Sequence, residues 1–599
     1  MDAAALSLAG EFPPAELAEW RVLVAGVLDK AGRAYDPAAP ETALAHVDDD
    51  GIVIAPLYTE RPQVSTGQPG QPPFVRGARP VLGSQPQPSE TAGWDVRAYY
   101  PDPDPVATNR AVLADLHNGV SSLWLPAGAE LAQVLEGVYL DLIAVVLSDP
   151  GQAAELLRLV EHLSPDRVRG SLGADPAGWA ARHGGQPDLA QLRAAVAAAQ
   201  SYPGLLPVTV DATVYHDAGA TDAEELAISI SVAVGYLRTV GEDLFDRMEF
   251  RYAVTANQFA SIAKLRAARR VWDRVGELCG RLERGGQRQH AVTSAAMLTR
   301  RDPWVNMLRG TIACFAAAVG EAQAITVAPF DSALGIPDDF GRRIARNTQS
   351  ILHDEASLAR VTDAAGGSYY VETLTDEVAE RAWRKFTELE AAGGALALLA
   401  DGSLGRRLAG SWQRRRTRLA HRQDPITGVS EFADLAEAAM TRPVISEPAP
   451  TGLPRHRYAE DYEALRDRSD ELLARTGRRP SVLLAALGPA AAHAGRLAFA
   501  ANLFQAGGVQ PVVATGTADE LARAFAGSGA QIACLCSSDR GYAEAAGEAS
   551  RVLTAAGARV WIAGPAELAR EGIEQSIQLG CDALSRLAEV FEVFEGARR

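Results

Sequence analysis

Two histidines stand where the surrounding pattern could support chemistry. His493 follows an apolar run over 483–487 and Gly488, so it lies where a predicted strand turns through a glycine into a helix. That layout is typical of a cofactor loop at the carboxyl edge of an open α/β sheet. His216 follows another β-rich run, over 207–213. Because imidazole can ligate a metal or transfer a proton near neutral pH, both are candidate site residues.

The spacing of Cys534 and Cys536 also suggests a metal site at first sight. Residues i and i+2 of a strand share one face, however, and no histidine or second cysteine pair lies nearby in the sequence. We therefore predict buried thiols that pack as small hydrophobic groups, and no metal site. Five scattered cysteines fit a reducing, cytoplasmic setting.

The composition excludes several classes of partner. A net charge of −17 disfavours nucleic acid and anionic membranes, because both require basic patches. No apolar run approaches the roughly 20 residues of a membrane span. The acidic N-terminus shows no secretory or transit signal. We predict a cytoplasmic protein with no nucleic-acid partner and no membrane partner.

The elements that must position the candidate residues follow a regular alternation. Residues 1–90 predict an N-terminal helix near 14–31 and an extended arm, rich in Pro, Gly and Gln, over 61–89. Residues 91–430 predict a (β/α)8 barrel. Its eight β-rich runs are 121–125, 140–147, 168–172, 207–213, 248–254, 290–296, 324–330 and 359–363. Its clearest helical segments are 224–240, 257–280, 305–319, 340–352 and 375–389.

A second series of strands and helices follows a linker. Residues 431–480 contain a Pro-rich stretch and a charged helix over 461–475. Residues 481–599 predict a flavodoxin-like doubly wound domain. Its strands are predicted at 481–487, 509–514, 531–536, 559–563 and 574–579, and its helices at 491–505, 518–527, 542–556, 565–571 and 582–594. The predicted fold class is thus α/β, a TIM barrel followed by a flavodoxin-like domain.

Five segments, in order between residues 69 and 372, resemble the methylmalonyl-CoA mutase family, and the resemblance extends over nearly the whole chain, including the C-terminal domain. They are PGQPPFVRG (69–77), AGAT (218–221), AKLRAAR (263–269), RIARNTQ (343–349) and GGSYYVE (366–372). The resemblance implies interconversion of methylmalonyl-CoA and succinyl-CoA through adenosylcobalamin radicals. It also implies a barrel around the CoA chain and a C-terminal domain that brings cobalt to the carboxyl face of the barrel.

The family's cobalt-ligand residues are missing from the C-terminal turn. Active members have Asp-x-His-x-x-Gly there, preceded by a Lys, and these positions fall on Ala490, Ala492 and Ala486. Only the frame glycines Gly488 and Gly495 remain. His493, next to the lost ligand, is either a shifted cobalt ligand or a solvent-facing residue near a helix start.

The rest of the cofactor cleft is similarly altered. Ser537 and Ser538 end the third strand of this domain, where the family contacts the nucleotide tail of the cofactor. Asp539 replaces a leucine there, and Gly564 is the remaining member of a Gly-Gly pair. We interpret these residues as structural remnants and predict that this chain binds no cofactor.

The barrel has also lost residues that the family uses in catalysis. Arg97 and Tyr99 resemble an Arg-x-Tyr motif whose Tyr packs beside the substrate, although a barrel-capping role is equally open for Tyr99. Aligned without gaps, the position of the catalytic histidine falls on Val214. Aligned with two deletions it falls on His216, which is then an alternative catalytic acid. We predict no catalytic residue in this chain.

Intact turns beside lost ligands are typical of a protein selected for its fold and surface. Within the family, the sequence resembles the small, non-catalytic subunit of the heterodimeric form. That resemblance implies a catalytic large subunit as partner, which carries adenosylcobalamin and the acyl-CoA substrate. Two alternatives remain: an active mutase that uses His493 and His216 in shifted positions, and a stand-alone acyl-CoA-binding protein.

Overall fold

The computed structural model describes residues 15–60, 66–78, 93–281, 285–444, 451–569 and 572–596. Its first helix, α1 (Leu17–Lys30), confirms the helix predicted near 14–31. A short antiparallel hairpin follows, formed by β1 (His46–Val47) and β2 (Val53–Ile54). Much of the predicted arm over 61–89 lies outside the described residues.

Eight parallel strands close a barrel, as the alternating pattern predicts. In chain order they are β3 (Asp95–Tyr99), β4 (Ser122–Leu125), β5 (Ala144–Leu147), β6 (Arg169–Ala174), β7 (Leu205–Asp211), β8 (Met248–Val254), β9 (Arg288–Thr293) and β10 (Ala324–Thr326). The barrel closes because β10 pairs with β9 on one side and with β3 on the other.

Two predictions at the ends of the barrel are wrong. The first strand is β3, which the apolar pattern missed because Asp95 and Arg97 interrupt it. The run over 359–363, predicted as the eighth strand, begins in a single helical turn at Leu358–Arg360. Asp363 then has a φ of 54°, a left-handed conformation that breaks an extended run.

Helices surround this barrel and shield its strands. They are α2 (Pro105–His117), α3 (Leu131–Val134), α4 (Ala153–Val160), α5 (Pro176–His183), α6 (Leu189–Ala198), α7 (Thr213–Asp217), α8 (Asp222–Val240), α9 (Gln258–Leu278), α10 (Val305–Val319), α11 (Asp339–Ser350), α12 (Tyr369–Ala391), α13 (Ala395–Ala400) and α14 (Ser403–Ala420). The five helical segments predicted for the barrel are confirmed. The start of α8 is fixed by a capping box between Thr221 and Glu224, a device that contributes about 1 kcal/mol.

A second, five-stranded parallel sheet follows α15 (Glu460–Thr476). Its strands are β11 (Ser481–Ala486), β12 (Gln510–Thr515), β13 (Ile532–Cys536), β14 (Arg559–Ala563) and β15 (Ile573–Ile577), in the spatial order β12-β11-β13-β14-β15. The flanking helices are α16 (Ala490–Ala506), α17 (Ala518–Ser528), α18 (Asp539–Ala555) and α19 (Ala583–Gly596). Separate apolar clusters cover the two faces of this sheet, so its three central strands, β11, β13 and β14, consist of apolar runs.

One helix prediction in this part of the chain is wrong. Of the segment predicted as a helix over 565–571, the described residues 565–569 hold only one turn, Ala566–Leu568. Gly564 and Gly572, both with positive φ, bracket a connection too short for a full helix before β15 begins. No helix in the described ranges is long and apolar enough to cross a membrane.

Ion pairs join the barrel to α15. Arg300 contacts Glu463 and Asp467, and Arg301 contacts Asp467 and Asp470, at N–O distances of 2.6 to 3.0 Å. Glu463 is buried at this contact, and one of its carboxylate oxygens also accepts the backbone N–H of Arg300 at 2.6 Å. This cluster fixes α15, and the sheet that follows it, against the loop after β9.

Candidate functional site

The turn after β11 keeps a glycine frame and carries only apolar side chains. Gly488 has a φ of 78°, a conformation that glycine adopts without strain. Ala486 ends β11 in a buried position, and Ala490 and Ala492 lie in the first turn of α16. Pro489 is the N-cap of that helix and makes no side-chain capping bond. No side chain of this turn can ligate a metal or move a proton.

His493 is buried just beyond this turn, so the expectation that it faces solvent is wrong. Helical spacing places it on the face of α16 that also buries Ala500 and Phe504. Its Nδ1 atom has no hydrogen-bond partner among the described residues. The imidazole is therefore part of the helix packing, with one polar atom left unsatisfied.

Replacing His493 with leucine is expected to hold the free energy of unfolding within about 1 kcal/mol of wild type, or to raise it. The reason is that a buried nitrogen without a partner gives way to apolar atoms of similar volume. Calorimetry measures the change, and Leu503→Ala on the same helix is the control, with an expected loss of about 2–5 kcal/mol. A comparable loss in His493→Leu would show that the imidazole makes a stabilising contact.

Arg496 covers the cleft at the carboxyl ends of β13 and β14. Its Nη1 donates to the carbonyl oxygen of Ser537 at 2.7 Å, and its guanidinium also pairs with Asp539. A Cβ atom added to Gly564 would lie 3.2 Å from Cζ of Arg496. Sequence reasoning missed Arg496, although the carboxylate at 539 was a signal that a cation should lie nearby.

Both serines of this cleft are engaged within the fold. The Oγ of Ser537 donates to the carbonyl oxygen of Leu487 at 2.9 Å. Ser538 is the N-cap of α18, where its hydroxyl accepts the N–H of Gly541 at 3.2 Å. Gly495 lies on the exposed side of α16, where an added Cβ would meet open space. None of these residues needs a ligand to satisfy its polar atoms.

Paired charges fill the interior of the barrel. Arg97 of β3 donates to Glu249 of β8 at 2.8 Å and to Ser122 of β4 at 2.9 Å. Three strand interfaces separate β3 from β8 in the closed barrel, so this ion pair crosses the interior. Arg251 of β8 donates to Asp211 of β7 at 2.7 Å. All five side chains are buried.

Asp211 and His290 extend the same network and take defined protonation states. Burial alone would raise the pKa of Asp211, but the guanidiniums of Arg182 and Arg251, at 2.6 and 2.7 Å, hold it below its ordinary value. His290 accepts from Arg251 at Nδ1 and contacts the Thr326 hydroxyl at Nε2. Burial and neighbouring guanidiniums hold the pKa of His290 well below its ordinary range, so it is neutral. We call Arg97, Asp211, Glu249, Arg251 and His290 the lumen network.

Two aromatic rings pack on the lumen network at the carboxyl ends of the strands. Tyr99 ends β3, and its ring centroid lies 4.5 Å from that of Trp124 on β4. The guanidinium carbon of Arg251 lies 3.8 Å from the Trp124 ring centroid, a cation–π distance. Trp124 also donates from Nε1 to the hydroxyl of Ser148 at 2.7 Å. Tyr99 thus contacts an aromatic and cationic cluster formed by the chain itself.

His216 lies in α7, inside another buried cluster. Its Nε2 is 2.7 Å from the Ser294 hydroxyl, and its Nδ1 is 3.4 Å from a carboxylate oxygen of Glu225. Glu225 also pairs with Lys264 at 2.8 Å. Val214, on which the ungapped alignment places the family histidine, is buried in the same short helix. The arrangement orders buried charges and leaves His216 almost no accessible surface.

A strap of residues 451–458 crosses the carboxyl face of the barrel. It bonds to the segments that follow three barrel strands: Leu453 N donates to Ala181 O in α5, His456 N to Asp217 O in α7, and Tyr458 N to Ala296 O after β9. The Tyr458 hydroxyl lies 3.5 Å from Nε2 of His216. His456 stacks on Trp412 of α14, with ring centroids 4.2 Å apart. The strap therefore shields the side of the barrel on which His216 lies.

The cysteine pair lies on β13, where both thiols are buried. Burial raises the pKa of the Cys534 thiol well above its ordinary value, which disfavours the thiolate that metals bind. Across the described ranges, no group of three or more His, Cys, Asp or Glu side chains is placed to hold a metal ion.

Comparisons with known proteins decide the family. The sequence model of methylmalonyl-CoA mutase matches residues 162–492. The methylmalonyl-CoA mutase small subunit of Streptomyces virginiae is 51% identical, over 98% of each chain. That of Propionibacterium freudenreichii subsp. shermanii is 39% identical, over 99% of this chain and 97% of its own. The probable small subunit of Mycobacterium tuberculosis is 41% identical, over 91% of this chain and 92% of its own.

The chain belongs to the methylmalonyl-CoA mutase family. In this mutase-family chain, two of the segments that carry the resemblance, AKLRAAR (263–269) and GGSYYVE (366–372), form ion pairs between helices. Lys264 pairs with Asp222 and Glu225, both at 2.8 Å. Arg266, in the same segment of α9, pairs with Asp363 and with Glu372 of the GGSYYVE segment. These buried pairs bind α9 to α8 and α12.

Residues 66–78 of the arm are bound by the AKLRAAR segment (263–269) of α9. Arg269 donates to the carbonyl oxygens of Phe74 and Val75, at 2.8 and 3.0 Å. Arg76 pairs with Asp363 at 2.6 Å. Residues 66–78 therefore lie against α9, which explains why a polar, Pro-rich segment is ordered there.

Proposed function

We propose that this chain is the small, non-catalytic subunit of a heterodimeric methylmalonyl-CoA mutase. It supports a large catalytic subunit, which holds adenosylcobalamin and the acyl-CoA while methylmalonyl-CoA and succinyl-CoA are interconverted. The observation that carries the proposal is the lumen network, because this chain's own ion pairs occupy the barrel interior. The full-length relatives, which are named methylmalonyl-CoA mutase small subunits, support the same assignment.

The lumen network argues against an acyl-CoA chain inside this barrel. An acyl-CoA would have to displace Arg97, Glu249 and Arg251, which pair with one another or with side chains of neighbouring strands. Separating a buried ion pair is expensive, because each charge then lacks both water and its partner. A stand-alone acyl-CoA-binding protein is disfavoured for the same reason.

The C-terminal residues do not fit adenosylcobalamin. The strand order of the second sheet, with β11 between β12 and β13, supports a flavodoxin-like domain of the kind that holds this cofactor. Its turn offers methyl groups at Ala486, Ala490 and Ala492, and Arg496 covers Gly564. We derive no step through the cofactor in this chain.

The proposal also includes the organisation and location of the chain. We assign the arm to 1–90, the barrel to 91–430, the linker to 431–480 and the flavodoxin-like domain to 481–599. Five free cysteines support a cytoplasmic protein, because thiols persist in a reducing compartment.

A visible-absorbance titration of the purified chain with adenosylcobalamin tests the proposal. We expect no cobalamin to remain with the chain after gel filtration, and no mutase activity in the chain alone. Mixing with the cognate large subunit should yield a heterodimer with activity. Retained cofactor with a base-off, histidine-ligated spectrum would contradict the proposal and restore the active-mutase alternative through His493.

A further inference from the structure

The outer wall of the barrel carries an unusual apolar stripe on α10 and its N-cap. Trp304, Leu308 and Ile312 are spaced four residues apart, so they share one face of the helix. Their exposed fractions are 50%, 65% and 38%. Outer helices of a barrel normally show polar residues to water. On two other barrel helices, α8 and α9, the outer side is covered by α12, whereas the apolar stripe on α10 is exposed.

A row of aromatic rings extends this stripe to α11. Trp304 stacks on the buried ring of Phe330 at 5.0 Å, and Phe330 meets Phe340 edge to face at 5.9 Å. Phe340, on α11, is 39% exposed. The guanidinium of Arg343 lies 5.3 Å from the Phe340 ring centroid. We call Trp304, Leu308, Ile312 and Phe340 the α10–α11 surface.

The α10–α11 surface is held in place before any partner arrives. Asp302, just before Pro303 and Trp304, has a left-handed φ of 45°. Its N–H is fixed by Glu437 at 2.8 Å. Rigid aromatic anchors lose little conformational entropy when a partner covers them.

Size and charge indicate what covers this surface. The 15 residues of α10 span about 22 Å, and a neighbouring helix lies about 8–10 Å away. The resulting patch of roughly 200 Å² is large enough for the central core of an interface that buries about 800 Å² per partner. Arg343 is exposed and has no carboxylate partner in the described ranges, so it suits an acidic residue opposite.

We propose that the α10–α11 surface is the docking site for the catalytic large subunit, with Arg343 facing a carboxylate of that subunit. This inference rests on the proposed function. A symmetric contact between two copies of this chain is disfavoured, because it would bring two uncompensated Arg343 guanidiniums into one interface.

Leu308→Arg tests the docking site, with Leu278→Arg as its matched control. Leu278 is 62% exposed, is also a leucine on an outer barrel helix, and lies outside the α10–α11 surface. The probe is the large subunit from the same organism, titrated against each full-length variant by light scattering or interferometry. We expect Leu308→Arg to weaken association by about thirtyfold or more, and Leu278→Arg by less than about threefold.

The outcomes separate this inference from the proposed function. If the wild-type chain does not bind the large subunit, the proposed function fails and the docking site with it. If wild type binds and Leu308→Arg binds equally well, only the docking site is wrong. Loss of self-association by Leu308→Arg, with no effect on the large subunit, would assign the surface to a second copy and overturn the inference.

Arg343→Glu provides a second test that does not alter the apolar stripe. It should slow association with the large subunit at low salt, and the difference from wild type should shrink at high salt because salt screens the charge. An unchanged association rate at low salt would contradict the predicted carboxylate partner. This variant decides the charge assignment even if Leu308→Arg proves unstable in a thermal melt.

Discussion

Lys264→Met is expected to lower the free energy of unfolding by about 3–5 kcal/mol, because it leaves buried negative charge without its partner. Lys264 is fully buried in α9 and pairs with Asp222 and Glu225. Burial alone would lower the pKa of Lys264, but these two carboxylates overcome that effect and hold it above its ordinary value. The lysine is therefore charged at neutral pH. Calorimetry and urea unfolding measure the loss.

Two variants isolate the cause of that loss. Arg274→Ala breaks an exposed pair with Glu277 on the same helix and should cost less than about 1 kcal/mol. Lys264→Met combined with Glu225→Gln neutralises the fully buried one of the two carboxylates that lose their partner, while Asp222 is partly exposed. The Gln oxygen can still accept the N–H of Ala253. We expect this double variant to be more stable than Lys264→Met alone. Equal stability would mean that lost packing, and not uncompensated charge, explains the effect.

Glu463→Ala is expected to weaken the contact between the barrel and α15 by about 3 kcal/mol, since it removes one buried carboxylate from several donors at once. Glu463 accepts from the backbone and side chain of Arg300 and also pairs with Arg457. With this anchor gone, the C-terminal domain should unfold before the barrel. A single calorimetric transition should then split into two, and trypsin should cut faster at Arg455 in the strap.

Asp461→Asn serves as the control for the Glu463 variant. Asp461 lies on the same helix and makes a more exposed pair with Arg416, so its loss should change stability by less than about 1 kcal/mol. If Glu463→Ala and Asp461→Asn give the same single transition, Glu463 does not hold the two parts together.

The pH dependence of this junction has a defined sign. Burial alone would raise the pKa of Glu463, but Arg457 and Arg300 hold it below its ordinary value of 4.5. A carboxyl with a lowered pKa in the folded state contributes stability that is fully present above the unfolded pKa. That contribution is lost as the pH falls from about 4.5 through the lower folded value. Wild type should thus become less stable over this acid range, and Glu463→Ala should show a shallower decline.

Most strands and helices could be predicted from the sequence because their apolar spacing is local. The alternation of β-rich and helical segments indicated a barrel, and the closed eight-stranded sheet confirms it. The missed strand, β3, holds Asp95 and Arg97 among its five residues. Arg97 is a strand residue whose charge is satisfied across the barrel, by Glu249 at a separation of 152 residues. No local pattern reveals such a partner.

In the candidate site, too, the sequence predicted the local features, whereas burial and contacts between distant residues depended on the tertiary structure. Reading the sequence located the turn at Gly488 and the alanines beside it, because these positions follow one another along the chain. Burial of His493 depended on which face of α16 meets the sheet. The position of Arg496 over Gly564 depended on the pairing of strands far apart in sequence.

The sequence by itself determined the alternation of elements and the family, and it carries the prediction that the family's cobalt ligands are missing at Ala486, Ala490 and Ala492. Only the tertiary structure decided that charges fill the barrel, since Arg97 and Glu249 meet only after the strands close. It also decided that Trp304 and Leu308 remain uncovered on α10. Residue type and spacing act along a single helix or strand, whereas ion pairing across a lumen and the exposure of a helix face are set by which elements pack together.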